Sequence, residues 1–309
     1  MRPTVKNLMT RSTNTILAVL SLAILSAGTF FHLSIDTQSS QAHTATCTPF
    51  AAPDISAEAA YILDLKTNAV LFEKNAEAQL PLASLTKLVT ALAASAVLAE
   101  EEGVTISRTA LASEGDSGFT EGEQWKARDL ASFTLITSSN DGARALALAA
   151  AHGVLDEFIV DMNTLVRTRG LVQTYFLNET GLDVSSTTAG GYGSARDVAL
   201  LLKSAYQEDN DTLFSSAQSA SVYTSLSGLA HKATHTSAVA GAFPGALIIK
   251  TGFTDLAGGN LAVLVEALPG RAVAVVVLGA TRVSRDSDVM ALVSFARDTL
   301  KRGTLCNTL

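Results

Sequence analysis

Residues 246–280 read ALIIKTGFTDLAGGNLAVLVEALPGRAVAVVVLGA. Three apolar runs, 246–252, 260–267 and 272–280, each have the length of a strand. They are separated by Leu256-Ala257-Gly258-Gly259 and Leu268-Pro269-Gly270-Arg271, both with the glycine chemistry of tight turns. The pattern predicts an antiparallel meander. Nearer the N-terminus, residues 59–65 (AAYILDL) and 69–73 (AVLFE) flank Lys66-Thr67-Asn68, a hairpin signal. Between the two strand groups the chain is mostly helical. Ser84 to about Leu98 is rich in Ala and Leu and free of Gly and Pro, and Asp197–Tyr206 predicts a further short helix. Residues 127–170 read as helices with loops near Ser138–Gly142 and Ala151–Gly153. A last helix is expected from about Asp286 to Lys301, stopping at Gly303. Two strands at the start and three at the end suggest one five-stranded antiparallel sheet closed by both chain ends. Helices would flank it, and the helical middle would form a second lobe. Segregated strands and helices make this an α+β fold rather than βαβ alternation.

The 309 residues carry 22 Lys+Arg against 29 Asp+Glu, a formal net charge of −7. Three of the basic residues, Arg2, Lys6 and Arg11, lie in an acid-free N-terminal stretch, so the remainder is more acidic still. A polyanion would be repelled, and no nucleic-acid partner is expected. Residues 16–35 (ILAVLSLAILSAGTFFHLSI) form an uncharged run. As a helix it would span about 30 Å, the thickness of a hydrocarbon core. The preceding basic residues would leave the N-terminus in the cytoplasm and the rest outside. The expected organisation is a cytoplasmic basic segment (1–15), a transmembrane anchor or signal segment (16–35), a linker rich in Ser, Thr, Gln and Ala (36–53), one folded domain (54–303) and a short tail (304–309). A retained anchor is preferred to a cleaved signal. Ser40-Gln41-Ala42 lies far beyond the apolar run and Ser26-Ala27-Gly28 inside it. Cleavage would make the protein secreted. Cys47 and Cys306, the only cysteines, are a disulfide candidate on the outer side, the alternative being two free thiols.

Three short motifs carry chemistry. Ser84-Leu85-Thr86-Lys87 opens a helix, and the i, i+3 spacing puts hydroxyl and amine on one face. An amine kept neutral by desolvation or by a second cation can take the proton of a serine nucleophile. Ser138-Ser139-Asn140, expected in an interhelical loop, offers a second hydroxyl for proton relay and an amide that could hold a substrate amide or the Lys87 amine. Lys250-Thr251-Gly252 ends a strand; its cation and hydroxyl suit a carboxylate, and Gly252 lets another backbone lie against it. Each has a plain structural reading when taken alone: a capping serine with a surface lysine, a polar loop, a strand end entering a turn. Ser12-Thr13-Asn14 repeats the second pattern by accident. The three together, in this order and on these elements, point to acyl transfer.

From about Ile55 to Lys301 the chain resembles the D-alanyl-D-alanine carboxypeptidases, the low-molecular-mass penicillin-binding proteins of the serine β-lactamase-like superfamily. The resemblance lies in YILDLKTNAVLFEKNAEAQLPLASLTKLVTAL, SEGDSGFTEGEQW, TLITSSNDGA, FIVDMNTLVRTRGLVQTYFLNETGLD and KTGFTDLAGGNL. It implies a β-lactamase/transpeptidase-like fold whose helical lobe holds the second motif. It also implies that Ser84 is the acylated nucleophile, Lys87 its general base, Ser138 the proton relay and Asn140 the group that positions the substrate amide. Lys250 would lower the Lys87 pKa and assist the relay, and Thr251 would bind the terminal carboxylate. The N–H groups of Ser84 and of Phe253, after Gly252, would form the oxyanion hole. The implied substrate is a peptidoglycan stem pentapeptide ending in D-Ala-D-Ala, with β-lactams as covalent inhibitors and no cofactor.

The sequence also departs from the family. Glu179-Thr180 stands where many members have Pro-His, and Tyr192-Gly193 where a histidine often precedes Ser194-Ala195-Arg196-Asp197. The family's C-terminal β domain and amphipathic anchor have no counterpart in these residues, so residues 16–35 would do the tethering. A class A β-lactamase would need Glu-x-x-Leu-Asn between the second and third motifs, and Glu157, Glu179 and Glu208 all lack it. A D,D-endopeptidase would use the same residues on cross-linked peptides, and a non-catalytic wall-binding module would not need them intact. His231 and His235 have i, i+4 spacing, but Lys232 stands where a zinc peptidase needs glutamate and no third ligand is evident, so no metal is expected. The plain reading of that pair is two exposed histidines on a loop or helix.

Overall fold

The computed structural model describes residues 51–208, 215–217 and 219–306. The segment 16–35 and Cys47 lie outside the described residues, and of Cys306 only the backbone is described. Among the described residues no helix is long and apolar enough to cross a membrane. The strands are β1 (Ala59–Asp64), β2 (Val70–Lys74), β3 (Leu80–Pro81), β4 (Gly103–Thr105), β5 (Gln124–Lys126), β6 (Tyr175–Phe176), β7 (Gly191–Gly193), β8 (Ala220–Thr224), β9 (Ala230–Thr234), β10 (Ala246–Thr254), β11 (Gly258–Leu268) and β12 (Arg271–Ala280). The helices are α1 (Thr86–Ser95), α2 (Arg108–Leu111), α3 (Ala127–Thr137), α4 (Asn140–Ala150), α5 (Leu155–Thr168), α6 (Ala195–Gln207) and α7 (Ser284–Cys306).

The central sheet has five strands in the order β10-β11-β12-β1-β2, every neighbouring pair antiparallel. The first hairpin and the C-terminal meander therefore join through β1 and β12, where Ala59 faces Leu278 and Asp64 faces Val273. Both faces of β1, β10, β11 and β12 are covered over most of their length, which is why these strands read as apolar runs, while the edge strand β2 stays partly exposed. Tyr61, Leu63, Ile248, Leu264, Val276 and Leu278 pack against the helical lobe with Leu85, Leu88 and Val89. Ile62, Ile249, Val263, Val275 and Val277 pack under α7, against Val289, Leu292, Val293 and Ala296. Fully buried side chains of this size contribute roughly 1.5–3 kcal/mol each relative to exposure, so the sheet forms a stiff wall for the site.

Two expectations need correction. The loop expected over Ser138–Gly142 narrows to Ser138 and Ser139, and Asn140 is the first residue of α4. Ser139 caps that helix, its Oγ accepting from the Gly142 N–H at 2.9 Å, with Asp141 in the first turn. Gly142 looked like a loop residue, yet a Cβ there would lie 2.2 Å from Thr134 Oγ1, so it marks close packing of α4 on α3. The last helix also runs through Gly303 to Cys306. A glycine in a helix costs only about 1 kcal/mol relative to alanine and does not by itself end one.

Candidate active site

Ser84 sits in a single 3-10 turn, Ala83–Leu85, that leads directly into α1. The preceding Ala83 has φ 47°, a left-handed conformation unfavourable for alanine by roughly 1–2 kcal/mol. Two close backbone approaches hold the turn. A Cβ on Gly252 would lie 2.7 Å from the Leu82 carbonyl oxygen, and one on Gly181 would lie 1.9 Å from that of Ala83. Gly181 also has φ +77°. Gly181→Ala is therefore expected to destabilise the fold by about 3 kcal/mol, from strain and overlap together. This should read as a fall in Tm of roughly 6–12 °C; a Tm equal to that of the parent would contradict this packing.

The helix spacing does what the first motif promised. Lys87 Nζ donates to Ser84 Oγ at 2.9 Å, to Asn140 Oδ1 at 2.7 Å and to the Thr180 carbonyl at 2.6 Å. Asn140 is aimed by its own Nδ2, which donates to the Glu114 carbonyl at 2.7 Å. Ser138, the left-handed residue ending α3 at φ 63°, accepts from Lys250 Nζ at 2.9 Å. Lys250 also donates to the Thr251 carbonyl at 2.9 Å. Ser84, Ser138, Thr251 and Phe253 line one cleft of about 180 Å³, together with Thr236, Arg282 and Arg285. Ser84, Lys87, Ser138, Asn140, Lys250, Thr251, Gly252 and Phe253 are thus brought together from the 3-10 turn and first turn of α1, the α3–α4 junction and β10.

Both amines are fully buried. Burial pulls Lys87 down to about 7, against the opposing pull of the Glu179 carboxylate. Lys250 is held well below the usual lysine range, first by burial, then by the Lys87 and Arg285 charges. Two ammonium groups removed from water repel one another, so the pair sheds a proton far more easily than exposed lysines do. The chemical consequence is a serine hydroxyl in contact with an amine able to accept its proton near neutral pH.

Several site residues escaped the sequence reading. Thr236 shares a short hydroxyl–hydroxyl contact with Thr251. Arg285, on α7, donates from Nη1 to the Gly252 carbonyl at 2.8 Å, supporting the third motif from behind. Arg282 lies over the Phe253 ring, 5.2 Å from its centroid. Asp183 accepts from Thr254 Oγ1 at 2.9 Å and ties the segment after Gly181 to the end of β10. Asn260 donates to the Pro81 carbonyl at 2.9 Å, fastening the chain that leads to Ser84 onto β11. None of these contacts lies within a local motif.

The histidine pair also differs from expectation. His231 lies on β9, its Nε2 2.7 Å from Glu123 Oε1 among the rings of Phe119, Trp125 and Phe133. His235 is buried beyond the strand, with Nε2 3.1 Å from the Ile249 carbonyl. The two histidine side chains are held by separate partners, Glu123 and the Ile249 carbonyl, rather than turned towards each other. Among the described residues no group of three or more His, Cys, Asp or Glu is placed to hold a metal ion.

An antiparallel sheet against a helical lobe, with Ser-x-x-Lys, Ser-x-Asn and Lys-Thr-Gly meeting between them, defines the serine β-lactamase and transpeptidase-like fold class. Residues 45–282 match the family model for D-alanyl-D-alanine carboxypeptidases. The chain belongs to that family. It is 29% identical over 246 residues to D-alanyl-D-alanine carboxypeptidase DacF of Bacillus subtilis, covering 78% of this chain and 62% of that protein. It is 32% identical over 166 residues to the D-alanyl-D-alanine endopeptidase of Escherichia coli, covering 52% of this chain and 51% of that protein. The chain thus spans between half and two thirds of the length of these relatives. Among solved structures, penicillin-binding protein D2 of Listeria monocytogenes in its cefotaxime-bound form is similar, with TM-score 0.69 and 27% identity over 80% of this chain and 99% of that one.

Proposed function

We propose that this chain is a serine D-alanyl-D-alanine carboxypeptidase that trims peptidoglycan stem pentapeptides through an acyl-enzyme at Ser84. The observation that carries the proposal is the double pairing of hydroxyl and buried amine, Ser84 with Lys87 and Ser138 with Lys250, in one cleft. In its neutral form Lys87 takes the hydroxyl proton as Ser84 Oγ adds to the carbonyl of the penultimate D-alanine. The N–H groups of Ser84 and Phe253 receive the developing oxyanion. The C–N bond then breaks, Ser138 passes a proton to the departing D-alanine amine, and water hydrolyses the ester. Thr251 and Lys250 hold the terminal carboxylate, and Asn140 orients the substrate amide. A β-lactam enters the same path and remains as a slowly hydrolysed ester.

A second reading is favoured by the Escherichia coli relative named as an endopeptidase: the same residues cutting cross-linked peptides. Release of free D-alanine from a pentapeptide ending in D-Ala-D-Ala supports the first reading; cleavage of cross-linked dimers without D-alanine release replaces it with the second. We place the domain on the outer side of the membrane, tethered by residues 16–35. That rests on the length of the uncharged run and the basic residues before it.

The reactive form has Lys87 neutral, so the pH dependence has a definite sign. Acylation should rise about tenfold per pH unit below the limb and level off above about 7. A rate already on its plateau at pH 5 would contradict Lys87 as the base.

A further inference from the structure

Glu179 and Arg144 are not part of the three motifs, yet they form an ion pair directly behind them. The Glu179 side chain is almost completely buried, and its Oε1 accepts from Arg144 Nε at 2.7 Å. A carboxylate is normally kept out of such a site, and a buried ion pair contributes little net stability compared with apolar packing. Its place in the fold suggests why it is there. Arg144 is four residues after Asn140 on α4, so the two lie on one face of that helix, and Asn140 Oδ1 is an acceptor for Lys87. Glu179 is next to Thr180, whose carbonyl is the other fixed acceptor for Lys87. The Glu179 carbonyl is itself fastened to α1 by Thr90 Oγ1 at 2.6 Å. The ion pair therefore clamps together the two pieces of chain that hold the amine.

We propose that Glu179, paired with Arg144, is a positioning residue for Lys87. It joins the acceptors Asn140 Oδ1 and Thr180 O into one rigid cradle, and it supplies the buried negative charge that favours a proton on the amine between turnovers. The inference rests on the acyl-enzyme reading above and assigns work to a position where this sequence departs from its family. The charged groups facing Lys87 are few. β10 contributes Lys250 and α4 contributes Arg144, with Asp141 turned to the Ser117 N–H. α5 presents Phe158, Met162 and Val166 and keeps Asp156, Glu157 and Asp161 exposed. Glu179 is the carboxylate whose charge acts on Lys87, opposing the effect of burial. Without it the free amine would persist to lower pH but would be a weaker base.

The test is the pH profile of acylation by a fluorescent penicillin, measured on the full-length chain and on Glu179→Gln. Glutamine keeps the acceptor for Arg144 and removes the charge. The limb should move to lower pH by about half a unit or more, and the plateau rate should fall. Arg144→Lys, which keeps the pair's charges, should leave the limb at its parent position. If Glu179→Gln does not fold, the double variant Glu179→Gln, Arg144→Gln removes the buried carboxylate together with its half-buried partner and should shift the limb in the same direction, because Glu179 is the charge that acts on Lys87. A purely structural role would change rate or Tm and leave the limb unmoved, and that result overturns the inference. The underlying reading fails separately: it falls if the parent chain itself is not acylated.

Discussion

Replacing Lys87 by methionine is expected to slow acylation by about 10²–10⁴-fold, the range that positioned proton transfer supplies. The amine is 2.9 Å from the Ser84 hydroxyl, fully buried, and fixed by acceptors on two other segments. Methionine fills the same channel, so the oxyanion donors and the cleft should persist and only the proton acceptor is lost. Stability is pulled both ways. Asn140 Oδ1 and the Thr180 carbonyl lose a donor, at about 1–3 kcal/mol for an unsatisfied buried group, while the fold no longer has to desolvate an amine. Stopped-flow acylation with a chromogenic β-lactam, alongside a thermal melt, measures both. A folded variant acylating at the parent rate would remove Lys87 from the mechanism.

Ser84→Ala should abolish the covalent adduct altogether and leave the fold in place. The side-chain hydrogen bond of Ser84 is to Lys87, which keeps its two other acceptors. The left-handed Ala83 and the Gly181 and Gly252 contacts that enforce it are backbone features and are unaffected. Surface-like changes of this kind usually shift stability by within about 0.5 kcal/mol. The expected result is an unchanged melt with no mass increase on prolonged incubation with penicillin. An adduct of full stoichiometry in this variant would move the nucleophile elsewhere.

How far the sequence reached depended on whether a feature was local. Strands β1, β10, β11 and β12 were legible because both of their faces are buried over most of their length, which makes them apolar and sets β10 to β12 off from their Gly-rich turns, whereas the partly exposed edge strand β2 was legible through its hairpin turn. The short strands β3 to β9, of two to five residues each, left no such trace; β7 is only Gly191-Tyr192-Gly193. The motif residues were legible because their chemistry is encoded at fixed local spacing. Asn140 meets the Lys87 amine, but from a helix rather than from the expected loop. Asp141-Gly142 resembles a turn, and the steric demand of Thr134 that requires glycine comes from another helix. Thr236, Arg285 and Glu179 were beyond reach for the same reason. Thr236 meets Thr251 across 15 positions, Arg285 meets Gly252 across 33, and Arg144 meets Glu179 across 35, with nothing in the intervening sequence to couple them. The histidines were misread because i, i+4 spacing has meaning only on a helix, and His231 is on a strand.

If Ser84 is an activated nucleophile that penicillin captures, the intact mass of the full-length chain after incubation with penicillin will show it. A stable increase of one penicillin per chain is expected, with the modified peptide containing Ser84. Intact penicillin with no mass change would contradict acyl transfer at this site, and rapid loss of penicillin without an accumulating adduct would make the protein a β-lactamase instead.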